Sequence, residues 1–334
     1  MSRYPALWTR IKFVTCLLLP LSWLFRAGVA LRRTFYQRGW LRIERLPIPV
    51  IVVGNISVGG TGKTPLVLWL VARLREAGYQ PGVISRGYGA TRRGNKSPRV
   101  VLADSDAALC GDEPVLLARY SGCPVWIGKN RPATAHALLA ANADCNVIVS
   151  DDGLQHYRLA RDVEIAVVDG TRGHGNGFLL PAGPLREPVS QLELVDAVVI
   201  RGRVAPAAST TPPSFLMTLE PANLRNLHEA NRTLAFKRLK GKRVHAVAGI
   251  GNPQQFFDTL TQLGIAHTPH AFADHHAFKA SDIHFKDCDA VVMTEKDAVK
   301  CERFATDDDW ALQAEARVHH SLAQLVLKRM KQRR

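Results

Sequence analysis

The octapeptide Ser57-Val58-Gly59-Gly60-Thr61-Gly62-Lys63-Thr64 limits what this chain can fold into more than any other stretch. An apolar run, Ile48 to Val53, precedes it, and a helical pattern, Leu66 to Ala77, follows. Strand, glycine-rich turn and helix in that order are the setting of a phosphate-binding loop. Glycines let successive backbone N–H groups converge on a phosphate, because a Cβ there blocks the approach. The helix N-terminus adds partial positive charge. Ser57 to Thr64 are the expected cradle, with Lys63 reaching the β and γ phosphates and the Thr64 hydroxyl on Mg²⁺. Ser57 stands where the pattern usually opens with glycine; Gly54 lies three residues earlier. A glycine-rich turn without a ligand is the alternative reading.

The rest of the chain supplies a matching scaffold. Short apolar strands are expected at Ile48–Val53, Pro81–Ser85, Val100–Ala103, Pro124–Ile127, Asn146–Ser150, Glu164–Asp169 and Ala197–Ile200. Helical patterns between them cover Thr64–Ala77, Glu113–Tyr120 and Pro132–Ala141. Continuous apolar strands separated by helices predict an α/β fold, a mostly parallel sheet covered on both faces. At 334 residues the chain has room for two domains. Residues 46–205 read as the phosphate-loop domain and 206–240 as a Pro- and Ser-containing linker with a possible strand pair. Residues 241–334 read as a smaller α/β domain. It opens on strand Val244–Ala248, with Asn252 as helix N-cap and Pro253 as first helical residue before Gln254–Leu263. Strand Ala290–Met293 and helix Ser321–Met330 complete it.

Residues 1–45 are of another kind. They carry nine Lys/Arg, Arg3, Lys12 and Arg33 among them, and one acid, Glu44. Between the basic clusters runs Phe13 to Phe25, shorter than the ~20 apolar residues of a spanning helix. Trp8, Trp23, Tyr36 and Trp40 suit a headgroup-level belt. The segment reads as a membrane-associated anchor, its arginines on anionic lipid. A signal peptide ending near Gly28-Val29-Ala30 is the competitor; it conflicts with a phosphate loop downstream, which needs cytosolic nucleotide. A buried core helix leaves the arginines unexplained. The net charge of +15 calls for an anionic partner. Nucleic acid is not the expected one, since the basic residues gather at the chain ends and no base-stacking motif accompanies them. No obligate protein partner is signalled, and the six scattered cysteines form no C-x-x-C pair.

Polar residues following strands are the candidates for chemistry. Asp151 and Asp152 end the strand Asn146–Ser150, where one can serve metal and the other a hydroxyl or water. A strand-end capping role is the alternative. Gln155 and His156 share that loop. Asp112 opens a helix, either as N-cap or as a carboxylate that orients an attacking hydroxyl. Arg86 and Tyr88 sit on the glycine-flexed loop Ser85–Gly89. The Pro- and Leu-rich loop from Gly177 to Pro188, with Arg186 and Glu187, suits something large or greasy. Asp274-His275-His276 lacks a further ligand set, so zinc is not expected; a His beside an Asp can be a general base, or a surface turn. Thr294-Glu295-Lys296-Asp297 is spelled like the guanine-reading motif of GTPases, although helix capping by Thr294 explains it as well.

Taken in order, Gly54-Asn55, Val58 to Pro65, Ser85 to Gly89, Gly111-Asp112-Glu113-Pro114, Asp151 to His156, Pro181 to Glu187 and Thr294 to Asp297 form a set. Behind a basic-apolar N-terminus, that set resembles tetraacyldisaccharide 4′-kinase, the lipid A kinase of Gram-negative bacteria. The resemblance covers nearly the whole chain and includes the serine at 57. It implies ATP-dependent phosphorylation of the 4′-hydroxyl of a lipid A disaccharide 1-phosphate at the cytoplasmic face of the inner membrane. Two α/β/α domains with the active site between them are implied too. So is a catalytic dyad of Asp112 and His275, with Lys63 and Thr64 on phosphate and Mg²⁺ and with Asp151 and Asp152 as metal and active-site acids. Arg86, Tyr88, Gln155, His156, Arg186 and Glu187 are then expected to meet substrate. A P-loop GTPase or ATPase acting as a targeting or metal-delivery switch is the rival; it would read guanine through Thr294–Asp297 and need no acceptor.

Overall fold

Among the described residues, one mixed sheet of 13 strands links both halves of the chain. The structure, a computed structural model, describes residues 8, 11, 13–88, 97–202 and 212–332. The strands are β1 (Val50–Gly54), β2 (Pro81–Ser85), β3 (Arg99–Val101), β4 (Val125–Ile127), β5 (Val147–Asp151), β6 (Val163–Asp169), β7 (Ala197–Arg201), β8 (Ser214–Asn226), β9 (Thr233–Leu234), β10 (Val244–Ala248), β11 (His267–Ala271), β12 (Ala290–Thr294) and β13 (Asp309–Val318). Their order is β11-β10-β12-β13-β8-β7-β6-β1-β5-β2-β4-β3, with β9 beside β8. Neighbours are parallel except β3/β4, β8/β13 and β8/β9. The helices are α1 (Phe13–Gln37), α2 (Lys63–Glu76), α3 (Ala107–Cys110), α4 (Asp112–Tyr120), α5 (Arg131–Ala141), α6 (Pro253–Gln262), α7 (Glu295–Cys301) and α8 (Ser321–Gln332).

The apolar strands split their side chains by period two. Ile51 and Val53 of β1 join Val149, Val83 and Ile165 under Leu66, Val67, Leu70 and Leu74 of α2. Val50 and Val52 face the other way, with Ile148, Ile84 and Ala166, onto Ala135 and Leu138 of α5. A strand buried on both faces has no polar alternate, which is why β1 and β5 read as unbroken apolar runs. In the C-terminal half, Val244, Ala246 and Ala248 meet Phe256, Phe257 and Leu260 of α6. Val247, Val291 and Met293 pack on Phe278 and α7.

Residues 206–240, read as a linker, contain the 13-residue strand β8, which pairs with β9 and along most of β13 and so carries the sheet from one half to the other. The 205/206 boundary lies outside the described residues. Asn252 stands at the N-cap position of α6, but its side chain makes no capping hydrogen bond, against expectation. Pro253 is the first helical residue.

The N-terminal helix is longer than the apolar run suggested: α1 extends through Arg26, Arg32 and Arg33 to Gln37. Arginine is a good helix former, so the helix need not end with the apolar stretch. By length and composition α1 could cross a membrane. Its packing is inverted. The side chains it buries are Thr15 and Ser22, while Phe13, Leu17, Trp23 and Leu24 are 78%, 63%, 63% and 71% exposed. The Ser22 hydroxyl donates to the Leu179 carbonyl at 2.8 Å, and Arg33 bonds Gln191. Arg3, Arg10 and Lys12 lie outside the described residues, as do Arg333 and Arg334 at the other end of the chain.

Candidate active site

The turn between β1 and α2 has the backbone of an anion cradle. Gly59 and Gly62 have φ of +94° and +88°, values open to glycine and costly for other residues. A Cβ on Gly62 would also lie 2.7 Å from Arg201 Cδ, whereas one on Gly60 would meet nothing within 4 Å. Buried Asn55 braces the turn from below, donating to Thr61 Oγ1 at 3.2 Å. The loop 178–188 supports its other side: Val58 N–H donates to Pro184 O at 2.9 Å and Arg186 N–H to Ile56 O at 2.7 Å. Lys63 is the first residue of α2, so its side chain leaves from the positive end of the helix.

Opposite stands the acidic corner. Asp152, at φ +48°, lies 3.4 Å from Lys63 Nζ and 3.1 Å from Arg186. Burial raises its pKa, but the charges of Lys63 and Arg186 outweigh that and hold the carboxyl far below the usual range. Asp151 ends β5, fully enclosed. Ser85 Oγ donates to its Oδ2 at 3.0 Å, while Oδ1 has no hydrogen-bond partner. Burial first, then the Glu113 charge, pushes its pKa up. An enclosed carboxylate oxygen without a donor is what a hard divalent cation takes. No group of three or more His, Cys, Asp or Glu positioned for a metal exists among the described residues. Mg²⁺ keeps waters and substrate phosphates as ligands and needs few from the protein.

The two halves meet at Asp112 and His275. Asp112 is the first residue of α4 and Gly111 its N-cap, so Asp112 does not cap the helix. Gly111 has φ +91°, and a Cβ there would lie 2.4 Å from Tyr88 O; this close approach sets the Tyr88 loop against α4. Asp112 Oδ2 lies 3.0 Å from His275 Nδ1, and the Tyr88 ring lies 5.5 Å from the imidazole. His276 turns away to Asp282 at 3.1 Å. Burial raises the Asp112 pKa, but the His275 hydrogen bond and the Lys296 charge leave it lowered. The same hydrogen bond raises that of His275. Such a pair is a carboxylate orienting an imidazole, whose other nitrogen can accept a proton.

Other expected residues are present but engaged. Glu187 is 2% exposed and accepts hydrogen bonds from Gln155 and Tyr157, so Gln155 and Glu187 hold each other. His156 is kept neutral by burial and by Arg131 and Arg86, its pKa lowered to about 3. Arg86 and Tyr88 are exposed on their loop; Gly89 lies outside the described residues.

Several charged residues at the site went unnoticed in the sequence. Asp169 ends β6 and takes two guanidiniums, Arg172 at 3.0 Å and Arg201 at 2.7 Å, and Arg172 also donates to Gly60 O. The rule that polar residues beyond parallel strands carry function picks out Asp169 and Arg201 once applied to every strand. Arg131, 1% exposed, donates to Asp151 O at 2.6 Å, and its Nε and Nη1 have no partner. Burial lowers its pKa to about 10. An enclosed cation with unused donors costs stability, and function is the usual reason to keep one. Arg131→Met removes the donor to the Asp151 carbonyl and a cation facing Asp151 and Asp152, so the melting temperature is expected to fall along with turnover, the latter by about tenfold or more. Thermal unfolding and initial rates on the same sample check it; an unchanged melting temperature would count against it.

A cleft of about 270 Å³ opens beside the glycine turn. Gly60 to Pro65, Arg172 and Arg201 line one end, and Leu68, Tyr120, Leu219, Pro221, Ile250 and Phe256 from both halves line the apolar remainder. Asp297 does not open on it as a base reader: both oxygens are taken, by Gly249 N–H, Thr294 Oγ1 and Lys300 Nζ.

The family model described as LpxK, tetraacyldisaccharide-1-P 4′-kinase, matches residues 14–331. A tetraacyldisaccharide 4′-kinase of Aromatoleum aromaticum is 50% identical over 331 residues, 98% of this chain and 96% of that one. One of Alkalilimnicola ehrlichii is 52% identical over 319 residues, 95% of this chain and 93% of its own. The crystal structure of LpxK from Aquifex aeolicus in complex with ATP superposes with a TM-score of 0.82 at 31% identity, covering 95% of this chain and all of that one. The chain belongs to the tetraacyldisaccharide-1-P 4′-kinase family.

Proposed function

We propose that this chain transfers the γ-phosphate of ATP to the 4′-hydroxyl of a tetraacyldisaccharide 1-phosphate, giving the bisphosphorylated lipid A precursor lipid IVA. The observation that carries the reading is Asp112 Oδ2 at 3.0 Å from His275 Nδ1, beside the glycine turn with Lys63. ATP would lie in the cleft, its phosphates on the main chain of Ser57–Thr64 and its base toward the apolar wall. Thr64 and the free oxygen of Asp151 would hold Mg²⁺, which neutralises phosphate charge when bound. Lys63 stabilises the charge on the transferred group. His275 Nε2 takes the hydroxyl proton as the sugar oxygen bonds to phosphorus and the bond to the leaving nucleoside diphosphate breaks. Asp112 holds the imidazole by Nδ1 and stabilises the cation that forms. Arg186 and Asp152 set the corner where phosphate and acceptor meet, with Arg86, Tyr88 and His156 on the acceptor side and the Gln155–Glu187 pair as its support. We read residues 46–205 and 241–334 as two lobes joined through β8 of residues 206–240, with the cleft lined from both.

The guanine-reading switch is disfavoured by the engaged oxygens of Asp297. Incubation with labelled ATP, Mg²⁺ and a lipid A disaccharide 1-phosphate is expected to yield a bisphosphorylated lipid. Nucleotide hydrolysis with no label in the lipid would overturn the assignment.

The inverted packing of α1 supports a membrane role. Apolar side chains that face no protein can be buried in the acyl region of a bilayer, and the helix arginines can meet anionic headgroups. We place α1 in the cytoplasmic leaflet of the inner membrane, beside an acceptor that cannot leave it. Each large apolar side chain transferred contributes about 1.5–3 kcal/mol, so removing residues 1–30 is expected to weaken binding to anionic vesicles by about a thousandfold or more. Undiminished co-sedimentation would count against the anchor.

A further inference from the structure

In the motif Thr294 to Asp297, Lys296 is the residue that faces the dyad. Thr294 caps α7 and Asp297 is enclosed, but Lys296 reaches the dyad. Its ammonium lies 3.1 Å from Glu113 Oε1, 3.4 Å from Asp274 Oδ1 and 4.0 Å from Asp112 Oδ2. These acids come from both halves: Asp112 and Glu113 open α4, and Asp274 precedes His275 in the loop after β11. We propose that Lys296 is the positioning residue of the Asp112–His275 pair, drawing Asp274 away from the imidazole so that Nε2 stays free for the acceptor proton. The proposal rests on His275 accepting that proton, as above.

The distances carry the argument. Asp274 Oδ1 is 3.9 Å from His275 Nε2 and 3.4 Å from Lys296. Nδ1 already faces Asp112, so a carboxylate closing on Nε2 would occupy the remaining nitrogen. The loop is not at rest by itself either: His275 has φ +58°, a region side-chain-bearing residues enter at a cost, so its contacts must hold it. Three groups do so, Asp112 on the imidazole, Lys296 on Asp274 and the Tyr88 ring beside His275. The charges facing the imidazole are Asp112, Asp274 and Lys296, with Glu113 on Lys296 and Lys300 acting on Asp112 from farther along α7. Lys296 is the cation that contacts three of those carboxylates at once. Their combined charge overcomes its burial and keeps it protonated.

The test is the pH profile of kcat at saturating ATP. Lys296→Met is expected to lower kcat by about 10- to 100-fold, a share of what a positioned base supplies, with KM for ATP changed by less than about threefold. The acid limb should move to higher pH, because the imidazole loses a neighbouring cation and gains a carboxylate. Lys296→Arg should return the limb toward the parent, and Asp274→Asn added to the Met variant should restore both limb and rate. An unmoved limb, a loss carried by KM for ATP, or no rescue by Asp274→Asn overturns the proposal. If the Met variant does not fold, Lys296→Gln carries the same comparison. A parent protein that makes no bisphosphorylated lipid sinks the kinase reading instead, so the two failures are distinct.

Discussion

Lys63→Ala should lower turnover by about a thousandfold or more while the protein stays folded. Phosphoryl transfer asks little covalent chemistry of a protein; it asks for position and for positive charge on the group in flight. Lys63 supplies both. It is 9% exposed, starts α2, and has its ammonium 3.4 Å from Asp152. In that enclosure a charge acts through little water and is worth more than at the surface. Its loss has a second effect, since Lys63 is one of three cations, with Arg186 and Arg131, that keep Asp152 ionised. Without it the carboxylate keeps only Arg186 among its ion pairs and its pKa rises. The core contacts of α2 run through Leu66, Val67 and Leu70, not Lys63, so melting temperature should change little. Initial rates at saturating ATP, with the melting temperature as control, decide it. A variant that makes product at the parental rate would remove the glycine turn from the chemistry.

That turn was legible because its meaning is local. Strand, glycines, Lys63 and Thr64 are contiguous, and the apolar runs beside them declare β1 and α2 by their own periodicity. The same holds for β2, β5 and β10, whose side chains are almost all enclosed. β8 was hidden for the opposite reason. It alternates exposed residues with half-buried or buried ones through Ser214–Glu220 and carries Pro221, so it reads as a connector, and pairing with β7 and β13 makes it a strand. The dyad is more distant still. Asp112 and His275 are 163 residues apart, and neither residue's neighbours reveal the other. The family resemblance named the pair with His275 as its imidazole, although adjacency in sequence does not separate His275 from His276. Their different partners, Asp112 and Asp282, do. Arg131 escaped notice, and Lys296 drew attention only as part of the Thr294–Asp297 motif, because enclosed cations carry no sequence signature of their own; what marks them is their enclosure and the carboxylates they face.

Asp112→Asn and His275→Ala should each lower kcat by about 10²–10⁴-fold with ATP affinity changed by less than about threefold, and the double variant should be no worse than the poorer single one. Residues that act as one unit do not add, because removing either already disables the base. The pH dependence makes the test sharper. A base must be neutral to accept a proton, so the rate should fall as the pH drops through the His275 pKa, which the hydrogen bond to Asp112 raises. Asn at 112 withdraws that charge, so the residual activity should show an acid limb at lower pH than the parent. Stability should run the other way. The raised imidazole pKa contributes stability that is fully present below the ordinary histidine value and is lost as the pH rises through the raised one. The lowered Asp112 pKa contributes stability present above the ordinary carboxylate value and lost as the pH falls through the lowered one. The ion pair therefore stabilises the fold between the lowered carboxylate and the raised imidazole pKa, and the reaction proceeds above the latter. Melting temperatures of parent and Asp112→Asn should differ most in mildly acidic buffer and less above the imidazole pKa, where only the Lys296 and Lys300 charges still favour the Asp112 carboxylate and where the rates differ most. If the two rate losses multiply in the double variant, or if ATP affinity accounts for them, the pair is not the base.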